Sequence, residues 1–243
     1  MGKSSLFLFI FYSVTMVLLI LHGALGDARQ FEGIHFLLSA EFRVECINFS
    51  GHGGRELSKN EWSIPSFANE VLQFMDEKSI DKVAIIGYSL GGYVGLYLAK
   101  HFPEKVEKLL TLSTKLQWTP EIAEKECSML KTEVIVQKVP AFAAALAQRH
   151  APVDWKILAE KTCTLLKSMG AHNPLSLSDF EMIQKPVLVC VGDRDKMVTM
   201  EETRHVFKAI PGAGMCVIPN MGHPVETLNT DFFIFVAKNF LKN

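Results

Sequence analysis

The residues best placed to do chemistry are grouped around Ser89, in Gly87-Tyr88-Ser89-Leu90-Gly91. This pentapeptide follows the apolar run Val83-Ala84-Ile85-Ile86 and precedes a segment with Val94 and Leu98 on one side. A tight strand-to-helix turn of this kind lifts a serine hydroxyl clear of a sheet, and flanking glycines let backbone pass where a Cβ would collide. A hydroxyl becomes a strong nucleophile only when a positioned base takes its proton, and the base needs an acid to hold one tautomer. Both types occur downstream. Gly192-Asp193-Arg194-Asp195 leaves the end of an apolar strand at 186–191, and His223 follows another at 215–218 in Gly222-His223-Pro224. Asp195 is the favoured acid and Asp193 the alternative, because two carboxylates share the turn and only geometry chooses between them. Together these groups fit attack on an acyl carbon through a covalent intermediate.

Positioning them requires a scaffold of alternating short apolar runs and amphipathic segments, the signature of β-α units around a largely parallel sheet. The strands expected are 16–21, 43–48, 82–86, 108–112, 186–191 and 215–218. Pro65 opens a helix whose Phe67, Val71, Phe74 and Met75 form one stripe. Thr199 and Glu202 form a capping-box pattern, and a final helix presents Phe232, Phe233, Val236 and Phe240. Between 115 and 183 the strand signal disappears. That stretch reads as helices, starting at Pro120, over the Ala-rich 141–147 and over 155–169, which divides the chain into a core of 1–114 and 184–243 and an insertion of 115–183.

The composition excludes several classes. With 243 residues, 49% hydrophobic and 21% charged, the chain is globular, neither disordered nor coiled coil. Its 25 Lys+Arg against 26 Asp+Glu give a formal charge of −1, so no basic field exists to hold nucleic acid or an anionic membrane. Cys46, Cys127, Cys163, Cys190 and Cys216 show no C-x-x-C spacing, and their odd number is read as reduced thiols. Cys190 and Cys216 lie in apolar runs and read as small buried hydrophobes. The apolar run 6–21 fits either a secretory leader or a strand entering a turn. A retained strand, no stable membrane insertion and a cytoplasmic protein are expected, with secretion as the alternative. Leu6 stands where a myristoylation pattern wants Ser or Thr.

From about residue 16 to the end, the chain resembles the α/β-hydrolases, on Gly87-Tyr88-Ser89-Leu90-Gly91, the Asp195 turn and Gly222-His223-Pro224 in that order. The resemblance implies a mostly parallel sheet flanked by helices, with 115–183 as a helical cap. It implies Ser89 as nucleophile, His223 as base, Asp195 as acid, and an oxyanion hole from the amides of Leu90 and Ala24. His22-Gly23-Ala24 resembles the family's His-Gly-x loop, and Ser50-Gly51-His52-Gly53-Gly54 its second glycine-rich turn, where His52 is structural by chain order. Family members carry a hairpin before the His-Gly strand, and only 21 residues precede His22, so a shortened sheet edge is expected. Trp118, Phe142 and Trp155 are candidate substrate-lining residues.

The implied activity is hydrolysis of small to medium acyl esters through an acyl-enzyme, with an acyl compound as partner and no metal or organic cofactor. Thioesters, lactones, amino-terminal peptide bonds, activated C–C bonds and a lyase reaction stay open within the class. Outside it, the alternative is a ligand receptor on the same fold with slow turnover. Epoxide and haloalkane hydrolysis are disfavoured, because those relatives place Asp where Ser89 stands.

Overall fold

A computed structural model describes residues 16–243. The readings placed on residues 6–15 lie outside the described residues. Six strands form one parallel sheet: β1 (Val17–Leu21), β2 (Arg43–Ile47), β3 (Val83–Tyr88), β4 (Val106–Leu112), β5 (Val187–Gly192) and β6 (Gly214–Ile218), in the order β2-β1-β3-β4-β5-β6. No strand lies beyond β2 among the described residues.

The inner strands β1, β3 and β5 are nearly continuous apolar runs because both faces of the sheet are covered. Along β1, Leu18 and Ile20 point to one face and Leu19 and Leu21 to the other. Helices α1 (Glu32–Leu38) and α10 (Thr230–Lys242) cover the first face with Ile34, Leu38, Phe233 and Leu241. Helices α2 (Ile64–Glu77) and α3 (Leu90–His101) cover the second with Phe67, Val71, Val94 and Leu98. Ser63 caps α2 by accepting the amide of Ser66 at 3.0 Å.

Between β4 and β5 run five helices, α4 (Pro120–Met129), α5 (Thr132–Lys138), α6 (Pro140–His150), α7 (Trp155–Ala171) and α8 (Leu177–Glu181); α9 (Met200–Ala209) follows β5. The expected box on α9 forms, with Thr199 Oγ1 accepting the Glu202 amide at 3.1 Å and Glu202 Oε2 accepting the Thr199 amide at 3.1 Å. Among the described residues no helix is long and apolar enough to cross a membrane.

Two cysteine readings need correction. Cys127 on α4 and Cys163 on α7 are joined by a disulfide, their Cα atoms 5.1 Å apart, so these thiols are not reduced. The pairing comes from helix packing, not from a short sequence spacing. Cys46, Cys190 and Cys216 are free. Cys190 is buried, but Cys216 is half-buried on the edge strand β6, where a hydrogen bond with Cys190 brings its thiol down to about 7.

Candidate active site

The strand order reverses at β1, whose neighbours β2 and β3 lie on opposite sides. Open parallel sheets place their ligand crevice outside the carboxyl ends of the strands at such a point. Ser89 leaves β3 there and Ala24 follows β1.

Ser89 joins Tyr88, the last residue of β3, to Leu90, the first of α3, with φ 50° and ψ −116°. Strand and helix cross closely at this bend. A Cβ on Gly91 would come within 2.4 Å of the Leu21 carbonyl oxygen, and one on Gly87 within 2.5 Å of the Gly91 carbonyl oxygen. The Ser89 amide is fixed by the Leu112 carbonyl at 2.9 Å.

The structure brings Ser89, His223 and Asp195 together. Ser89 Oγ lies 3.3 Å from His223 Nε2, and His223 Nδ1 donates to Asp195 Oδ2 at 2.9 Å. The Asp195 side chain is fully buried, and its Oδ1 accepts the amides of Met197 and Val198, each at 2.9 Å. Burial alone would raise the Asp195 pKa, but His223 and these two amides hold the carboxyl below its usual value. Asp193 is exposed and makes no bond to the imidazole; its amide goes to the Ile218 carbonyl at 3.1 Å. The Tyr88 hydroxyl donates to the His223 carbonyl at 2.8 Å, and the Arg194 amide donates to the Met221 carbonyl at 3.0 Å, which ties the histidine loop to β3 and to the acidic turn.

Ala24 and Leu90 line the same cavity as Ser89. Leu90 opens α3, so its amide has no partner within the helix and lies at the positive end of the helix dipole. Beside it, a Cβ on Gly23 would lie 3.0 Å from that of Ser89. His22 anchors the loop from below: its Nε2 accepts the Phe49 amide at 3.1 Å, so Nδ1 carries the proton and donates to the Gly23 carbonyl at 2.7 Å. Leu25 has a positive φ of 54°, and its carbonyl accepts from Arg149 Nη1 at 2.9 Å and His150 Nε2 at 3.1 Å, both at the end of α6.

His52 is fully buried away from Ser89, its Nδ1 donating to the Ser50 carbonyl at 3.0 Å and its ring stacked on Trp62. The cavity over Ser89 has a volume of about 470 Å³ and a largely apolar wall that includes Trp118, Phe142, Leu130 and Leu166. Trp155 is not part of that wall. At the first position of α7 it packs into the core instead. Sequence reasoning missed Tyr88, Glu126 and Arg149. Tyr88 sits in the serine pentapeptide as its variable residue, whereas Glu126 and Arg149 carry no pattern of their own.

The profile of the alpha/beta hydrolase fold matches residues 16–169. The chain belongs to this family. As an alpha/beta hydrolase it is similar along its length to RutD of Shigella flexneri serotype 5b, which bears the provisional name carbamate hydrolase, with 23% identity over 95% of this chain and 92% of RutD. An uncharacterized Mycobacterium tuberculosis protein is 30% identical over 96 residues, 40% of this chain, and the match spans only 28% of that protein. Among alpha/beta hydrolases of known structure, the enol-lactonase of Burkholderia xenovorans LB400 superposes with a TM-score of 0.78 at 20% identity, covering 94% of this chain and 92% of the lactonase. At that identity the likeness carries the fold alone.

Proposed function

We propose that the protein is a serine hydrolase that cleaves small to medium acyl esters through an acyl-enzyme. The observation that supports this most is the hydrogen-bonded series from Ser89 through His223 to a fully buried Asp195, open at its serine end to an apolar cavity. His223 Nε2 takes the Ser89 proton as Oγ attacks the acyl carbon, and Asp195 holds the imidazole in the productive tautomer and stabilises the imidazolium. The amides of Leu90 and Ala24 receive the developing oxyanion, each such donor being worth about 2.7–4 kcal/mol. The imidazolium then protonates the leaving alcohol. A water deprotonated by the same nitrogen attacks the acyl-enzyme, and the acid leaves with Ser89 restored.

We read residues 115–183 as a cap, since α4, α5, α6 and α7 contribute Met129, Ile135, Phe142, Leu166 and Met169 to the wall of the cavity that holds Ser89. Carbamates and enol lactones, named for two of the similar proteins, present a related carbonyl and are the nearest alternative substrates. The test is pre-steady-state hydrolysis of p-nitrophenyl butyrate. A burst of p-nitrophenolate that Ser89→Ala abolishes is the expected result. A wild-type rate at the level of buffer would set the hydrolase aside in favour of a ligand receptor on this fold.

A further inference from the structure

Three of the five cysteines are free, and two of these meet. β5 and β6 pair in parallel with Cys190 opposite Cys216 in the register. Register partners point to one face of a sheet, and the packing agrees. Both side chains lie with Leu188, Ile218 and Phe233 on the face that α10 covers, whereas Val189 and Met215, one residue earlier on each strand, pack on the other face. Paired strands run about 4.8 Å apart, and a disulfide spans Cα separations of about 4.4–6.8 Å. The two thiols are hydrogen-bonded, Cys190 donating to the sulfur of Cys216.

Their surroundings differ. Cys190, on an inner strand, is fully buried. Cys216 is half-buried on β6, which has β5 on one side and, among the described residues, no strand on the other. The bond from Cys190 favours the Cys216 thiolate more than burial opposes it, so this thiol sits at about 7, whereas burial pushes Cys46 up to about 12. The thiolate is the form that reacts with oxidants, and a second thiol in contact with it can capture the oxidised sulfur before it goes further.

We infer that Cys216 and Cys190 form a thiol-oxidation site, at which Cys216 reduces a hydroperoxide and Cys190 closes a disulfide between β5 and β6. In the first step the Cys216 thiolate attacks the terminal peroxide oxygen. An S–O bond forms, the O–O bond breaks, and the leaving oxygen takes a proton from water, giving an alcohol (water, if the oxidant is hydrogen peroxide) and Cys216 sulfenic acid. In the second, the Cys190 sulfur attacks that of Cys216, the S–S bond replaces the S–O bond, and hydroxide departs as water with the Cys190 proton. Two thiols thus give up two electrons and two protons to one peroxide. Neither cysteine lines the cavity that holds Ser89, so the site does not depend on the hydrolase reading.

The test treats the full chain, its Cys127–Cys163 disulfide intact, with excess hydrogen peroxide at neutral pH and maps the peptides without reduction. The expected product is monomeric protein with Cys190 and Cys216 linked, Cys46 still a thiol, and both lost thiols restored by dithiothreitol. In Cys190→Ala, which keeps a small apolar side chain at the buried position, no link forms and dimedone traps Cys216 as the sulfenic acid. In Cys216→Ser, Cys190 stays reduced. Without peroxide, iodoacetamide alkylates wild-type Cys216 faster than Cys46 by about a hundredfold or more, the advantage expected from the thiolate fraction less the lower nucleophilicity of the more acidic sulfur. Absence of the Cys190–Cys216 link in the wild type, Cys216 carried to sulfinic acid while Cys190 remains a thiol, or alkylation of Cys46 as fast as Cys216 overturns the site.

Discussion

Ser89 carries the proposed chemistry in a backbone conformation that costs free energy. Its φ of 50° lies where residues other than glycine rarely sit, a strain on the order of 1–3 kcal/mol that the surrounding fold must offset. Here the Leu112 carbonyl and the close crossing of Gly87 and Gly91 hold the bend. The two acids of the 192–195 turn differ more in environment than in sequence. Asp195 is enclosed and bonded to His223, and Asp193 faces solvent. Asp195→Asn therefore lowers kcat by about ten-thousand-fold, as loss of the orienting carboxylate does in such relays. Asp193→Asn leaves kcat near the wild-type value. Steady-state rates of the two variants with one ester decide the matter, and the reverse ranking would move the acid by two residues. Ser89, Asp195 and His223 were legible because each lies within five residues of the end of a strand and has a glycine beside it or in its turn. Arg149 was not, because its bond to the Leu25 carbonyl joins residues 124 positions apart in the chain.

At the scale of elements, the turns after β1 and β2 and the end of α6 pack three histidines beneath the Ala24 loop. The His52 ring centroid lies 5.0 Å from that of His22 and 5.5 Å from that of His150. Burial lowers His22 and His150 to about 4 and puts His52 well below its usual value. All three are neutral in the folded protein at neutral pH. The unfolded chain binds protons on these rings from about pH 6.5 downward, so stability is fully present above that pH and is lost as pH falls toward about 4. For His22 alone the loss is about 3 kcal/mol over that window. The unfolding free energy from urea titrations across the window should fall steeply, by about 1.4 kcal/mol per pH unit for each titrating histidine. A flat profile would contradict the neutral buried cluster. The six strands were readable to within two residues, since hydrophobic patterning is local, whereas the short helices α1, α5 and α8 carried no expected range. The α4–α7 disulfide and the inward turn of Trp155 were not, because both follow from how helices pack against each other.

At the scale of the whole molecule, one sheet brings together groups far apart in the chain. The reversal of strand order at β1 opens the crevice, β3 delivers Ser89 into it, and the loops after β5 and β6 supply Asp195 and His223. The helices between β4 and β5 close an apolar chamber above them. In the proposed mechanism this arrangement makes the Ser89 oxygen a nucleophile at neutral pH. Reaction with a fluorophosphonate, followed by mass-spectrometric mapping of the adduct, tests that most directly. A single adduct on Ser89, formed at neutral pH and absent from folded Ser89→Ala, is the predicted result; folded wild-type protein that stays unlabelled, or that carries the label on another residue, would contradict it.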